Sequence, residues 1–173
     1  MIFILTGPVH SGKTTFLNKV IYALKKQGVK IDGFLSKAVG KREETLGYDL
    51  FDLKEEKSIP YIRREGEKGW QKIGSFLFIP QGLAEAEKII LRGKDSGILI
   101  IDEIGPLELE GKGVWPALKN VIFQPLTHYL FVVRINILED FIGVLGKSEV
   151  KVFNIKDRDT YPRLIEEIKE AIK

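Results

Sequence analysis

The chain has 173 residues with 27 basic and 24 acidic side chains, a net charge of +3, and no cysteine. A domain of this length buries roughly 70% of its unfolded surface, so one core suffices, and the lack of cysteine excludes disulfides, thiolate metal sites and a cysteine nucleophile. Basic and acidic residues alternate, without the concentrated stripe of a nucleic-acid binder, and no apolar run reaches the roughly 18 residues of a membrane span.

The apolar segment 2–5 has no polar face and predicts a strand covered on both sides. It lacks a basic leader and runs into a glycine loop, so it reads as a strand and not as a signal peptide; the expected location is the cytoplasm. Residues 15–27 predict a helix with Phe16, Leu17, Val20, Ile21 and Leu24 on one stripe. Lys25 and Lys26 suit its last turn, and Gly28 suits its C-terminal cap. Segments 31–39 and 46–53 predict an antiparallel pair about a charged turn at 40–45, a β-hairpin insertion spanning 33–53. Residues 54–74 carry no clear period, although Ile59, Tyr61 and Ile62 suggest one more short strand. A helix is expected at 81–92, ended by Gly93, and a second wholly apolar strand at 97–101, with Asp102 and Glu103 at its C-terminal end.

Further on, 114–123 reads as a helix with Pro116 in its first turn, and 128–133 as a third core strand. Asn136 is placed to cap a helix at 137–145. A fourth core strand is expected at 150–155. Thr160 is placed to cap a last helix, with Pro162 in its first turn and Leu164, Ile165, Ile168 and Ile172 on one face. Strands alternating with helices predict an α/β fold of three layers around a mostly parallel sheet. Abundant Lys and Glu with sparse Asn, Gln and Met match many hyperthermophile proteins, so a thermophilic source is expected.

Gly7-Pro8-Val9-His10-Ser11-Gly12-Lys13-Thr14 fits G-x-x-x-x-G-K-[ST], with an apolar strand before it and an amphipathic helix after. The glycines let the backbone approach phosphates, and successive N–H groups at a helix N-terminus form an anion nest. Lys13 would reach the β- and γ-phosphates and Thr14 would offer its hydroxyl to Mg²⁺. The chain therefore reads as a single P-loop NTPase domain over 1–173. An apolar strand ending in an acid is the second part of such a site, and Asp102 is the expected Mg²⁺ partner opposite Thr14. Two readings of Glu103 are open: it prepares an attacking water, or it pairs with a nearby lysine. Gly105 either offers its N–H to a γ-phosphate or is a plain turn glycine. Glu108 reads as a surface residue. Arg134 either stabilises transition-state charge, if its strand lies beside the loop strand, or is a surface arginine. Arg158 could stack on a base. Asn136 reads as a cap and His128 as structural, and the His10 ring faces solvent or substrate.

The order GPVHSGKT, GFLSKAVGKREETLGYD, IIDEIGPLEL and KVFNIKDR resembles the small nucleoside-triphosphatase family first described from thermophiles, whose animal member is the cancer-related nucleoside triphosphatase. The most specific parts are IDEIG followed by Leu107-Glu108-Leu109, and the hairpin pairs Gly33-Phe34 and Gly47-Tyr48. The resemblance implies a RecA-like sheet and slow, Mg²⁺-dependent hydrolysis of ATP, GTP and other nucleoside triphosphates. It supports residues 7–14 as the nucleotide loop and Asp102 with Glu103 as the metal and water site. The chain departs from the family at Ser36-Lys37-Ala38-Val39-Gly40, at Thr45-Leu46, at Arg134-Ile135-Asn136-Ile137 and at Asp157-Arg158. A monomer with nucleoside triphosphates as partners is expected; nucleic acid is possible as a partner but not indicated. The rivals are a nucleotide or small-molecule kinase, with Arg63, Arg64 and the region from Lys68 to Lys72 as its thin lid, and a nucleotide-regulated binding module.

Overall fold

The computed structural model describes the whole chain except Val9, His10, Arg42, Glu43, Phe123, Pro125 and Leu126. Strand β1 (Ile2–Gly7) is buried along its whole length. Its side chains alternate: Ile2 and Ile4 enter one core, Phe3 and Leu5 the other. Helix α1 (Lys13–Lys26) starts two residues before the predicted position and buries Leu17, Val20, Ile21 and Leu24, each worth about 1.5–3 kcal/mol before entropy. It ends in a Schellman motif. Gly28, at φ +77°, takes the left-handed position, its N–H donates to Lys25 O, and Val29 N–H donates to Leu24 O. Gly28 thus sits one residue past the cap itself, Gln27, where glycine avoids the Cβ penalty.

Strand β2 (Ile31–Lys41) pairs antiparallel with β3 (Glu44–Asp52), so the hairpin forms with longer arms than its sequence suggests. The turn residues Arg42 and Glu43 lie outside the described residues. β4 (Ser58–Arg63) is the short strand expected around Tyr61. Two strands in the unassigned stretch, β5 (Lys72–Ile73) and β6 (Phe76–Phe78), are only two and three residues long, too short to show a period. Helix α2 (Pro80–Arg92) ends with Gly93 as its C-cap, as expected, and a 3-10 turn follows at Gly93–Asp95. β7 (Ile98–Ile104) extends through Asp102 and Glu103.

The helix expected at 114–123 is reduced to one turn, α4 (Trp115–Leu118), preceded by another single turn, α3 (Pro106–Leu109). Beyond Leu118 the chain continues in turns. β8 (His128–Arg134) follows. Asn136 does not cap the next helix: it lies in a 3-10 turn, and α5 (Leu138–Leu145) has Ile137 at its N-cap, with no side-chain bond. β9 (Val150–Asn154) precedes α6 (Thr160–Ile172). Thr160 is the first helical residue, with Asp159 at the cap; its hydroxyl turns back to Asn154 O at 2.5 Å and is buried.

Among the described residues, nine strands join one sheet in the order β5-β6-β4-β3-β2-β7-β8-β1-β9. From β2 to β9 the neighbours are parallel. β2 belongs to both halves: its first residues pair parallel with β7, from Ile31↔Ile98 to Phe34↔Ile101, while its length pairs with β3. The hairpin is therefore not a separate addition. β3, β4, β6 and β5 form an antiparallel wing growing from the edge of the parallel sheet. The β1 side chains Phe3 and Leu5 share a core with α1 and α6, and the opposite core holds residues of α2, α4 and α5. These are the three layers expected of a parallel sheet covered on both faces. Among the described residues, no helix is long and apolar enough to cross a membrane.

At the end of the sheet opposite residues 7–14, Arg92 joins Asp32 on β2 to Asp52 on β3, with bonds of 2.5 Å to Asp32 and 2.8 Å to Asp52. Burial pushes the Asp52 carboxyl up, but the Arg92 hydrogen bond, N–H donors from Glu55 and Lys54, and the Arg92 charge outweigh it, so its pKa falls below the ordinary value. A carboxylate with a depressed folded pKa contributes stability above its unfolded pKa and loses it as pH falls through the folded one. Between about pH 5 and pH 3, Asp52→Asn should lose less melting temperature than wild type. Equal losses in thermal melts at the two pH values would contradict this.

Candidate nucleotide site

The carboxyl end of β1 delivers the chain into the loop at Gly7. A Cβ there would stand 2.5 Å from Ile155 Cγ2, so the position takes only glycine. At the other end Gly12 holds φ +84° as the residue before α1, a conformation that disfavours any side chain. The first turn of α1 carries no acidic residue and no side-chain cap, leaving its N–H groups and dipole for an anion. Lys13 is buried to 7% exposure. Its ammonium donates to Gly7 O at 3.2 Å and Pro8 O at 2.8 Å, which holds its charge against the loop. Of the predicted loop residues, Val9 and His10 lie outside the described residues.

Two strands away, β7 brings Asp102 to meet the loop. Thr14 Oγ1 donates to Asp102 Oδ2 at 2.9 Å. Asp102 is 1% exposed, and burial, then the charge of Glu103, push its pKa up to about 7 against the opposing pull of Thr14, the Ser36 backbone and Lys13. A hydroxyl and a buried carboxylate side by side are hard oxygen donors. They fit a divalent cation, whose charge would offset what burial costs the carboxylate. Ser36 on β2 steadies the same point by donating its hydroxyl to Asp102 O. Sequence reasoning missed Ser36, because only the β2–β7 pairing brings it there.

β8 lies between β7 and β1, in parallel register with both. The condition placed on Arg134 is therefore met: it stands level with Gly7 in the β1–β8 pairing. The β7–β8 register shifts between Asp102 and Ile104, so Glu103 is the extra residue of a bulge, a device that re-aims a side chain near a site. Glu103 pairs with Arg134 Nε, and both remain partly exposed, at 26% and 44%. The sequence anticipated a salt bridge for Glu103 with lysine; the partner is an arginine from the intervening strand.

One expectation is corrected. Glu108 is not a surface residue but 5% exposed. Its carboxylate accepts from Gly105 N–H at 2.9 Å and Val114 N–H at 3.2 Å, tying α3 to the start of α4. Burial raises its pKa, opposed by those same bonds. The Gly105 N–H is thus engaged by Glu108 in this structure. The signal for Glu108 was its place between Leu107 and Leu109, three residues after Gly105, which is capping-box spacing. His128 starts β8, at the end of the strands away from the loop, and burial lowers its pKa. Asn136 is exposed beyond Arg134, and Arg158 is exposed in the turn between β9 and α6.

A phosphate-type loop between a parallel strand and its helix, with an acid brought to it from two strands away, defines a P-loop nucleoside-triphosphatase fold. A family model described as NTPase matches residues 2–168, and the chain belongs to that family. It is 30% identical to the nucleoside-triphosphatase THEP1 of Methanocaldococcus jannaschii, over 97% of this chain and 95% of that protein. It is 27% identical to the human cancer-related nucleoside-triphosphatase, over 87% of this chain and 86% of the relative. The solution structure of a human cancer-related nucleoside triphosphatase superposes with a TM-score of 0.72 at 26% identity, covering 99% of this chain and 96% of that one. The crystal structure of THEP1 from the hyperthermophile Aquifex aeolicus gives 0.74 at 21% identity, covering 100% and 99%, a likeness of fold.

Removing the Glu108 carboxylate leaves two buried N–H groups without their acceptor, at about 1–3 kcal/mol. Glu108→Ala should therefore lower the melting temperature by roughly 2–10 °C. A variant that melts with wild type would contradict the bracing role.

Proposed function

We propose that the chain is a Mg²⁺-dependent nucleoside-triphosphate phosphatase that releases phosphate and the diphosphate from ATP, GTP and other nucleoside triphosphates. The observation that carries this is the 2.9 Å hydrogen bond from Thr14 to the buried Asp102, which joins the two halves of a metal–phosphate site across an intervening strand. The family membership and the names of the relatives support the same reaction. Gly7, Pro8, Val9, His10, Ser11, Gly12, Lys13 and Thr14 form the phosphate cradle. Thr14 and Asp102 would hold Mg²⁺. When bound, it would draw charge from the phosphate oxygens.

Lys13 leaves the carbonyls of Gly7 and Pro8 for the β- and γ-phosphates and neutralises charge as the bridging bond breaks. Glu103 orients the water and takes its proton as the water oxygen attacks the γ-phosphorus and the diphosphate leaves. Its position on a bulge, outside the buried pair, leaves it reachable by solvent. Arg134 positions the Glu103 carboxylate and offers donors to the transferred group. Water access at Glu103 favours hydrolysis over a kinase, which excludes water. We take residues 1–173 as one slowly turning-over domain, monomeric and cytoplasmic.

Phosphate release measured over the nucleoside tri- and diphosphates should appear with triphosphates and depend on Mg²⁺. Glu103→Gln should keep nucleotide binding and lose at least about tenfold in turnover, the ordinary worth of a general base. Unchanged turnover would remove Glu103 from the mechanism, and transfer to an added acceptor without free phosphate would favour the kinase.

A further inference from the structure

A groove of about 660 Å³ opens along the outer face of α1, lined by Thr15, Phe16, Asn18, Lys19, Tyr22 and Tyr161. Its first lining residue, Thr15, follows Thr14 in the opening turn of α1. Its size is that of a small-molecule site. Half of its lining side chains are aromatic, and two of them stand in solvent: Tyr22 is 62% exposed and Tyr161 38%. The rings of Phe16 and Tyr161 meet edge-on, with centroids 5.8 Å apart and planes at 89°, which fixes α6 against α1.

The α6 wall is also tied to the loop. Ile155, in the turn that leads to α6, donates its N–H to Thr6 O at 2.9 Å and packs against the bare Cα of Gly7. The groove and the phosphate cradle are thus held in one frame. We infer that this aromatic groove is the nucleoside subsite, taking the base and sugar of the triphosphate whose phosphates the loop holds; the inference rests on the hydrolase proposal above. The polar groups along it are poor readers of base edges. The Asn18 amide gives one N–H to Thr14 O at 3.0 Å, and Thr15, Asn18 and Lys19 are exposed, with no wall behind them to fix a base edge. Ring faces remain, and stacking accepts any base because every base has a π-face. The subsite therefore adds affinity for a nucleoside while discriminating little among bases.

Inorganic triphosphate carries the phosphates without a nucleoside and separates the two sites. Dissociation constants for ATP, GTP, CTP and triphosphate, each with Mg²⁺, are to be measured for wild type, Tyr161→Ala and Tyr161→Phe. Tyr161→Ala should weaken all three nucleotides by about tenfold, the lower range of one lost stacking contact, and leave triphosphate within about twofold. Tyr161→Phe should restore the nucleotides. Wild type that binds ATP no better than triphosphate, or Tyr161→Ala that binds ATP as wild type does, overturns the subsite and leaves the hydrolase intact. Tyr161→Ala weakened equally for triphosphate also overturns it, by showing a structural role. Wild type that binds neither ATP nor triphosphate overturns the hydrolase reading itself.

Discussion

A carboxylate with 1% of its surface exposed has little water to stabilise its charge, and Asp102 is in that position. A group so placed either takes up a proton or finds positive charge. Its pKa near 7 expresses the first tendency, and burial is the leading cause. The fold supplies partners for the second: the Thr14 hydroxyl in direct contact and the Lys13 charge nearby. The apolar strands around Asp102 are what make its charge costly, and under the proposed function a bound cation would offset that cost.

Sheet order then determines what surrounds that carboxylate. Because β8 lies between β7 and β1, the acid and the loop are separated by one strand, and its last residue, Arg134, lies level with Gly7. The bulge at Glu103 turns the neighbouring carboxylate to meet it. Behind them Glu108 braces the chain leaving β7 by binding two backbone N–H groups. Two neighbouring carboxyl groups are thus divided, Asp102 meeting Thr14 at the loop and Glu103 meeting the exposed Arg134 at the rim.

The loop was legible in the sequence because its constraints are local. Gly12 needs a positive φ, and Lys13 and Thr14 follow at once, so the pattern is written in consecutive residues. The apolar strands were legible for the same reason, since burial on both faces leaves no polar position. Contacts across the sheet were not legible. Ser36 reaches Asp102 only because β2 pairs with β7, and Glu103 finds Arg134 only because β8 intervenes. Glu108 looked like a surface acid because its capping-box spacing from Gly105 is the one local sign of its two bonds to backbone N–H groups. Asn136 and Thr160 fit capping preferences, yet Thr160 turned its hydroxyl inward to Asn154 and Asn136 was drawn into a 3-10 turn. The helix expected past Leu118 failed because apolar content alone does not set a helical period.

The claim on which the rest depends is that the loop on β1 and the acid on β7 form one metal-dependent phosphate site. Thermal melts of wild type and Asp102→Asn, each with a non-hydrolysable triphosphate analogue with and without Mg²⁺, test it directly, since a ligand that binds the folded state raises its melting temperature. The account predicts that Mg²⁺ enlarges the shift in wild type, and that Asp102→Asn loses this increment while melting, without ligand, no lower than wild type. A variant that keeps the full Mg²⁺ increment would contradict it.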